Sequence, residues 1–263
     1  MAVYINGKII GNECYPNNER IYKEIIPESF SEIMVELKYE TDIDLMVLQM
    51  VKQYLDDVYP NKFKYLMMKY VPYSRMDRKI DGYMFSLKYF ANIINSMDFD
   101  SVLVFDVHSK VTKELINNVY ELTPIYYVSN VFKAEKIDYV LYPDKGAMSR
   151  YSEMFQLSVP YFNANKKRDL NTGKIIGFEL ENCPDIKDKN ILIIDDLCAK
   201  GGTFMASAQL LKDQGAKDIF LYVSHCENTI FNGEILKSNL IKKVYTANNM
   251  FNDSHEKIII IGD

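Results

Sequence analysis

The chain lacks a membrane-length apolar run, a paired-cysteine motif, the usual nucleotide-loop signatures and any excess of positive charge. No apolar stretch approaches the roughly 20 residues a membrane helix needs. The start, Met1-Ala2-Val3-Tyr4-Ile5-Asn6-Gly7-Lys8, has no signal-peptide pattern, so the expected compartment is the cytoplasm. Cys14, Cys183, Cys198 and Cys226 form no CxxC pair, which leaves neither a zinc site nor a disulfide framework indicated. Neither GxxxxGK followed by Ser or Thr nor GxGxxG occurs, excluding the familiar P-loop and dinucleotide fingerprints. A net charge of −5 and a pI near 5.4 argue against a general nucleic-acid binder, whose phosphate contacts demand a basic surface.

What is present is ample core: 48% of the 263 residues are apolar, enough for one large domain or two small ones. Apolar strands alternate with helical spacings. Thr41 or Asp42 is placed to cap a helix through Leu45, Leu48, Val51 and Leu55, and Phe63 to Val71 reads as a strand. Met84 to Met97 is helical, Ser101 to Asp106 a strand, and Val111 to Asn118 a helix. Residues 122–129 read as a crossing between halves, with domains expected at 1–127 and 128–263. The second half continues with strand Tyr139–Tyr142, helix Ala147–Leu157, strand Ile191–Ile194, a helix to Gln214, strand Ile219–Ser224 and strand Ile258–Ile261. Such alternation predicts an α/β fold of doubly wound parallel sheets, with ligand loops at the carboxyl ends of the strands.

The most informative stretch runs from Ile191 to Phe204. Four consecutive aliphatics suit a strand covered on both faces, and Asp195 and Asp196 mark its end. Ala199-Lys200-Gly201-Gly202-Thr203 follows, then Phe204, Ala208 and Leu211 at helical spacing, with Gly215 as the stop. The glycines allow a tight turn with successive N–H groups exposed, and the helix aims its positive end at the same place, so the unit suits a phosphate. Two carboxylates beside it can accept hydrogen bonds from vicinal hydroxyls, as a ribose 5′-phosphate would offer. Elsewhere, Arg75 and Arg78 in Tyr70-Val71-Pro72-Tyr73-Ser74-Arg75-Met76-Asp77-Arg78 follow an apolar strand and can grip phosphate oxygens bidentately.

These residues carry a resemblance. Ile191–Phe204 is similar to the phosphoribosyl pyrophosphate (PRPP) signature of type I phosphoribosyltransferases and ribose-phosphate pyrophosphokinases. Tyr70–Arg78 resembles the YxxYxRQDR segment that lines the ATP site of the pyrophosphokinases, with Met76 in place of glutamine, beside Asp77. Asp106-Val107-His108-Ser109 matches their D-L-H-S/A segment, and Tyr142-Pro143-Asp144-Lys145-Gly146 their P-D-x-G-G, with Arg150 at the motif's arginine. The resemblance makes His108 and Asp144 magnesium (Mg2+) contacts, with sparse protein ligation because that ion keeps most of its waters. Asn165-Lys166-Lys167-Arg168-Asp169, in a polar stretch between short strands, resembles the catalytic K-R-R loop, which implies Lys166 and Arg168 as the catalytic cations. Tyr15-Pro16-Asn17-Asn18-Glu19 resembles the F-x-D-G-E adenine loop, which in relatives reaches a neighbouring subunit's ATP and so implies a homo-oligomer. The match spans nearly the whole chain and looks most like the short, phage-encoded branch.

The implied fold is two domains, each type I phosphoribosyltransferase-like, with the active site between them. The implied reaction transfers the β,γ-diphosphate of ATP to the 1-hydroxyl of a ribose 5-phosphate group held by Asp195, Asp196 and residues 199–203, for nucleotide or NAD synthesis. Two alternatives remain: a PRPP-consuming phosphoribosyltransferase and a catalytically silent regulatory homologue. The family usually has Asp-Thr where this chain has Ala199-Lys200, a change that makes the loop roomier and more positive. Ribose 5-phosphate and a 5′-extended ribose such as ADP-ribose are both candidate acceptors. No nucleic-acid or membrane partner is expected.

Overall fold

The computed structural model describes residues 3–11, 13–23, 31–168 and 175–261. The chain divides into two compact units, Met1–Thr123 and Pro124–Asp263. The first contains β1 (Val3–Ile5), β2 (Lys8–Ile9), a separate hairpin of β3 (Glu13–Cys14) and β4 (Arg20–Ile21), β5 (Glu32–Leu37), α1 (Ile43–Val58), β6 (Phe63–Met68), α2 (Ser86–Ser96), β7 (Ser101–Phe105), α3 (Val111–Leu115) and β8 (Val119–Leu122). Its main sheet has the order β2-β1-β5-β6-β7-β8. The strands β5 to β8 are parallel and follow in chain order, while β1 is antiparallel to both its neighbours. Val47, Leu48, Val51 and Leu55 form the buried stripe of α1, the spacing that lets a helix cover a sheet.

Two local expectations change. Asp42 occupies the N-cap position of α1 without capping it; the Asp44 carboxylate instead accepts the N–H groups of Glu40 and Thr41 at 2.9 Å each. Asp42 is otherwise engaged, accepting the hydroxyls of Tyr39 and Tyr73. Helix α3 stops at Leu115 rather than Asn118, because Ile116 turns extended and buries its β-branched side chain in the core.

The second unit contains α4 (Ile125–Ala134), β9 (Tyr139–Tyr142), α5 (Lys145–Phe155), β10 (Tyr161–Arg168), β11 (Ile175–Glu181), β12 (Ile191–Cys198), α6 (Gly202–Asp213), β13 (Ile219–Glu227), a 3-10 turn (Asn228–Asn232), β14 (Lys243–Met250) and β15 (Ile258–Ile260). Most of the stretch read as a crossing is therefore helix α4, with Pro124 at its N-cap position. The sheet order is β11-β10-β9-β12-β13-β14-β15, parallel throughout except for β11. From β9 the chain steps to β10 on one side and then returns to β12 on the other. The winding thus reverses between β9 and β12, the place where an open α/β sheet leaves a crevice at its carboxyl edge. No helix among the described residues is long and apolar enough to cross a membrane.

Candidate functional site

The crevice of the second unit begins where strand pairing becomes one-sided. Strand β12 pairs with β9 only as far as Ile193 opposite Leu141, but with β13 it continues to Cys198 opposite Cys226. Asp195 and Asp196 therefore lie inside a strand that runs on to Cys198, rather than at its end, because β13 is long enough to carry the ladder further. Ile191 to Ile194 are completely buried, as the unbroken aliphatic run requires. Asp196 is 4% exposed and pairs with Arg150 of α5, Nη1 to Oδ1 3.2 Å. Asp195 accepts the Asp196 N–H at 2.9 Å. Part of Asp195 reaches the surface, yet burial, followed by the charge of Asp196, pushes its carboxyl well above the usual range. It holds its proton more readily than an ordinary aspartate and can donate as well as accept.

The loop after β12 is fixed by two steric facts. Gly201 sits at φ +78°, and a Cβ there would fall 2.1 Å from Cδ1 of Ile235. Gly233, just after the 3-10 turn, passes so close that its Cβ would meet the Lys200 carbonyl oxygen at 2.1 Å. Gly233 is a site residue that motif reading missed; a lone glycine in a loop gives no sequence signal of what it packs against. A Cβ on Gly202, by contrast, would meet nothing within 4 Å, so open space adjoins the first turn of α6. Thr203 is half-buried in that turn, Ala199 is half-buried, and the Lys200 side chain is exposed. Below the loop, Cys198 and Cys226 are both fully buried in register; the hydrogen bond to Cys226, then burial, pushes the Cys198 thiol up.

Asp144 lies across the crevice, at the N-cap of α5. Its Oδ1 accepts the Ala147 N–H at 2.9 Å, and a Cβ on Gly146 would crowd that oxygen at 3.1 Å, so a larger residue there would press on the cap. Asp144 also adds to the upward push on Asp195. Lys166 and Arg168, expected in a loop between strands, are in β10, opposite Phe178 and Ile175 of β11, with an irregularity between Lys167 and Arg168. A two-stranded ribbon beyond the main sheet needs no apolar run, which is why its polar sequence hides the strand. Asp169 of the same motif lies outside the described residues. At the root of this ribbon, Glu181 accepts the side-chain amides of Asn163 and Asn165 at 3.0 and 2.5 Å and pairs with Lys145 at 3.3 Å. Those partners, Asn163 first, hold the Glu181 carboxyl below its usual value.

In the first unit the candidate residues follow β6 and β7. Arg75 and Arg78 are exposed; Arg78 lies 4.0 Å from the half-buried Asp77. Met76 is half-buried and held through its backbone, its N–H donating to the Tyr73 carbonyl at 2.9 Å and its carbonyl accepting from Leu87 at 3.2 Å. Tyr73, at φ +60°, pins the segment to α1: its hydroxyl donates to Asp42 and lies 3.1 Å from that of Tyr39. His108 is half-buried in the loop after β7, which Glu121 of β8 steadies by accepting the Val107 N–H at 3.1 Å. Tyr15 to Glu19 form the exposed tip of the β3–β4 hairpin, where Oδ1 of Asn17 accepts the Glu19 N–H at 3.2 Å.

A profile of the phosphoribosyl transferase domain matches residues 125–253, which is the second unit almost entire. The ribose-phosphate pyrophosphokinase of Sulfolobus acidocaldarius is 26% identical over 95% of this chain and 88% of its own length. That of Pyrococcus abyssi is 28% identical over 84% of this chain and 78% of its own. Among solved structures, phosphoribosylpyrophosphate synthetase from Mycobacterium smegmatis shares the fold, with a TM-score of 0.74 over 95% of this chain and 84% of its own at 17% identity. The likeness extends across both units and not merely the one with the PRPP-type loop, and it marks the chain as a diphosphokinase-type enzyme similar to the ribose-phosphate pyrophosphokinases.

Proposed function

We propose that this cytoplasmic enzyme transfers the β,γ-diphosphate of ATP to the 1-hydroxyl of ribose 5-phosphate, giving PRPP and AMP. The observation that carries the acceptor half is the open space beside Gly202, at the head of α6 and next to the Asp195–Asp196 pair. The backbone N–H groups there suit the 5-phosphate, and the paired carboxyls suit the ribose hydroxyls. Arg75, Arg78 and His108 would take the nucleotide, with the exposed Asn17 of the hairpin tip meeting the adenine of a neighbouring subunit. In the transfer, the 1-oxygen bonds to the β-phosphorus as the bond to the bridging α,β-oxygen breaks. AMP leaves with that oxygen, and the hydroxyl proton goes to water. Lys166 and Arg168 supply positive charge to the oxygens on which negative charge grows.

Magnesium fits the donors present: Asp144 uses Oδ1 as a cap and keeps Oδ2 for a hydrated cation, while His108 of the first unit would contact magnesium carried by ATP. An ion that retains most of its waters would need only such sparse protein ligation. When bound, the ion would neutralise phosphate charge.

The test is to supply ATP with ribose 5-phosphate and follow AMP release and product mass. Consumption of PRPP with a base, without AMP formation from ATP, would overturn the reading in favour of a transferase. Activity of a stable monomer would exclude the shared adenine site. A second reading, ADP-ribose as acceptor, draws on the exposed Lys200 side chain, whose carbonyl is clamped against Gly233 while its ammonium is left to meet a second phosphate. Competition of the two acceptors for one ATP pool decides between them, and Lys200→Thr with Ala199→Asp should shift the preference toward ribose 5-phosphate.

A further inference from the structure

Among the described residues, strand β10 pairs with β9 only through Tyr161, Phe162 and Asn163, and from Ala164 onward β11 is its sole strand partner. The segment bearing Lys166 and Arg168 is therefore a two-stranded ribbon leaving the sheet, an arrangement that is marginal without support. The support lies at the point of departure. Asn163, 3% exposed, and Asn165, two residues further on the same strand face, both donate their amides to Glu181 Oε2, at 3.0 and 2.5 Å. Glu181 stands opposite Asn163 in register and also meets Lys145 Nζ at 3.3 Å. Lys145 is the residue after Asp144 and opens α5. One carboxylate thus joins three elements: the strand that carries the expected catalytic lysine, its return strand, and the head of the helix that Asp144 caps.

We propose that Glu181 is a positioning residue, fixing where β10 presents Lys166 relative to Asp144 through Asn163, Asn165 and Lys145. The inference rests on the diphosphokinase reading for its kinetic consequence and on the hydrogen-bond geometry alone for the anchor. Asn165 directly precedes Lys166, so release of its amide frees the backbone that carries the catalytic position. A misplacement of about 1 Å in such a group can lower turnover by about 100-fold.

The experiment uses the full chain. Glu181→Ala should lower kcat by about 10- to 100-fold, with KM for ATP and for the ribose phosphate nearly unchanged. Glu181→Gln, which keeps an acceptor for the two amides but loses the pair with Lys145, should recover part of the loss. In a Lys166→Ala background Glu181→Ala should add nothing, because the residue it positions is gone. A further full-sized loss in that background, or equal damage to both KM values, would assign Glu181 a general structural role and overturn the proposal. The anchor has its own readout: the side-chain amide proton resonances of Asn163 and Asn165 should move in Glu181→Ala, and unmoved resonances would refute it. Absence of AMP formation by the wild-type enzyme would instead count against the reaction, while those resonances still report on the anchor.

Discussion

The two units solve the placement of ligand loops differently. In the first, the parallel strands β5 to β8 follow in chain order, so no reversal opens a crevice, and the candidate residues lie on loops, Arg75 and Arg78 exposed and His108 half-buried. In the second, the reversal between β9 and β12 opens one, and it is lined by a buried aspartate and its ion-paired arginine. An exposed guanidinium suits phosphates, which arrive with their own charge. A buried carboxyl pair instead suits neutral hydroxyls, and the pair carries a standing electrostatic cost that only the right ligand relieves.

The comparison can be broken most decisively at the ribbon. Lys166→Ala should lower kcat by about 100- to 1,000-fold, the range for losing one transition-state electrostatic contact, while ATP binding measured by calorimetry persists. Full activity would remove the ribbon from the chemistry. Next in size, Arg75→Ala should raise KM for ATP by about 10-fold or more, as loss of a charge-assisted hydrogen bond does, without altering KM for the ribose phosphate. The opposite pattern would mean that the units do not divide the substrates as proposed.

Gly233→Ala should cost about 1–3 kcal/mol through overpacking against the Lys200 carbonyl, read by denaturant unfolding, and should weaken acceptor binding with it. Asp195→Asn should have the smallest effect on stability and the opposite sign. Because the folded Asp195 carboxyl titrates above the unfolded value of about 3.9, its contribution is whole below that value and is lost as pH rises through the folded pKa. The amide has no proton to lose, so the variant should melt slightly higher at neutral pH, by a few degrees at most, and bind the acceptor less well. A variant that melts lower would show that the pair is not strained.

Several features were legible from residues alone. The aliphatic run Ile191–Ile194, the glycine pair and the following 3.6-residue spacing specify a strand, a turn and a helix with little ambiguity, since each part has few other stable environments. The segments that escaped are those set by distant partners. Nothing in Asn165-Lys166-Lys167-Arg168 signals a strand, because its ladder is completed by β11 and not by its own apolar pattern. Asp42 has the residue type and position of a helix cap, but Tyr73, 31 positions along the chain, competes for it. Glu121, Glu181 and Gly233 meet neighbours remote in sequence, Val107, Asn163 and Lys200, so they carried no local signature.

The buried Cys198–Cys226 pair beneath the loop of residues 199–202 has a practical consequence. A thiol held protonated and out of solvent reacts with an alkylating reagent only during moments when β12 and β13 part. Its labelling rate is therefore a clock for opening of the strand that carries the loop, intrinsic to the unmodified chain. Cys14, exposed on the first unit, reacts at once and serves as the internal standard. Slowing of the Cys198 signal by a candidate acceptor, with Cys14 unaffected, would rank acceptors by how firmly each closes that strand, independently of turnover.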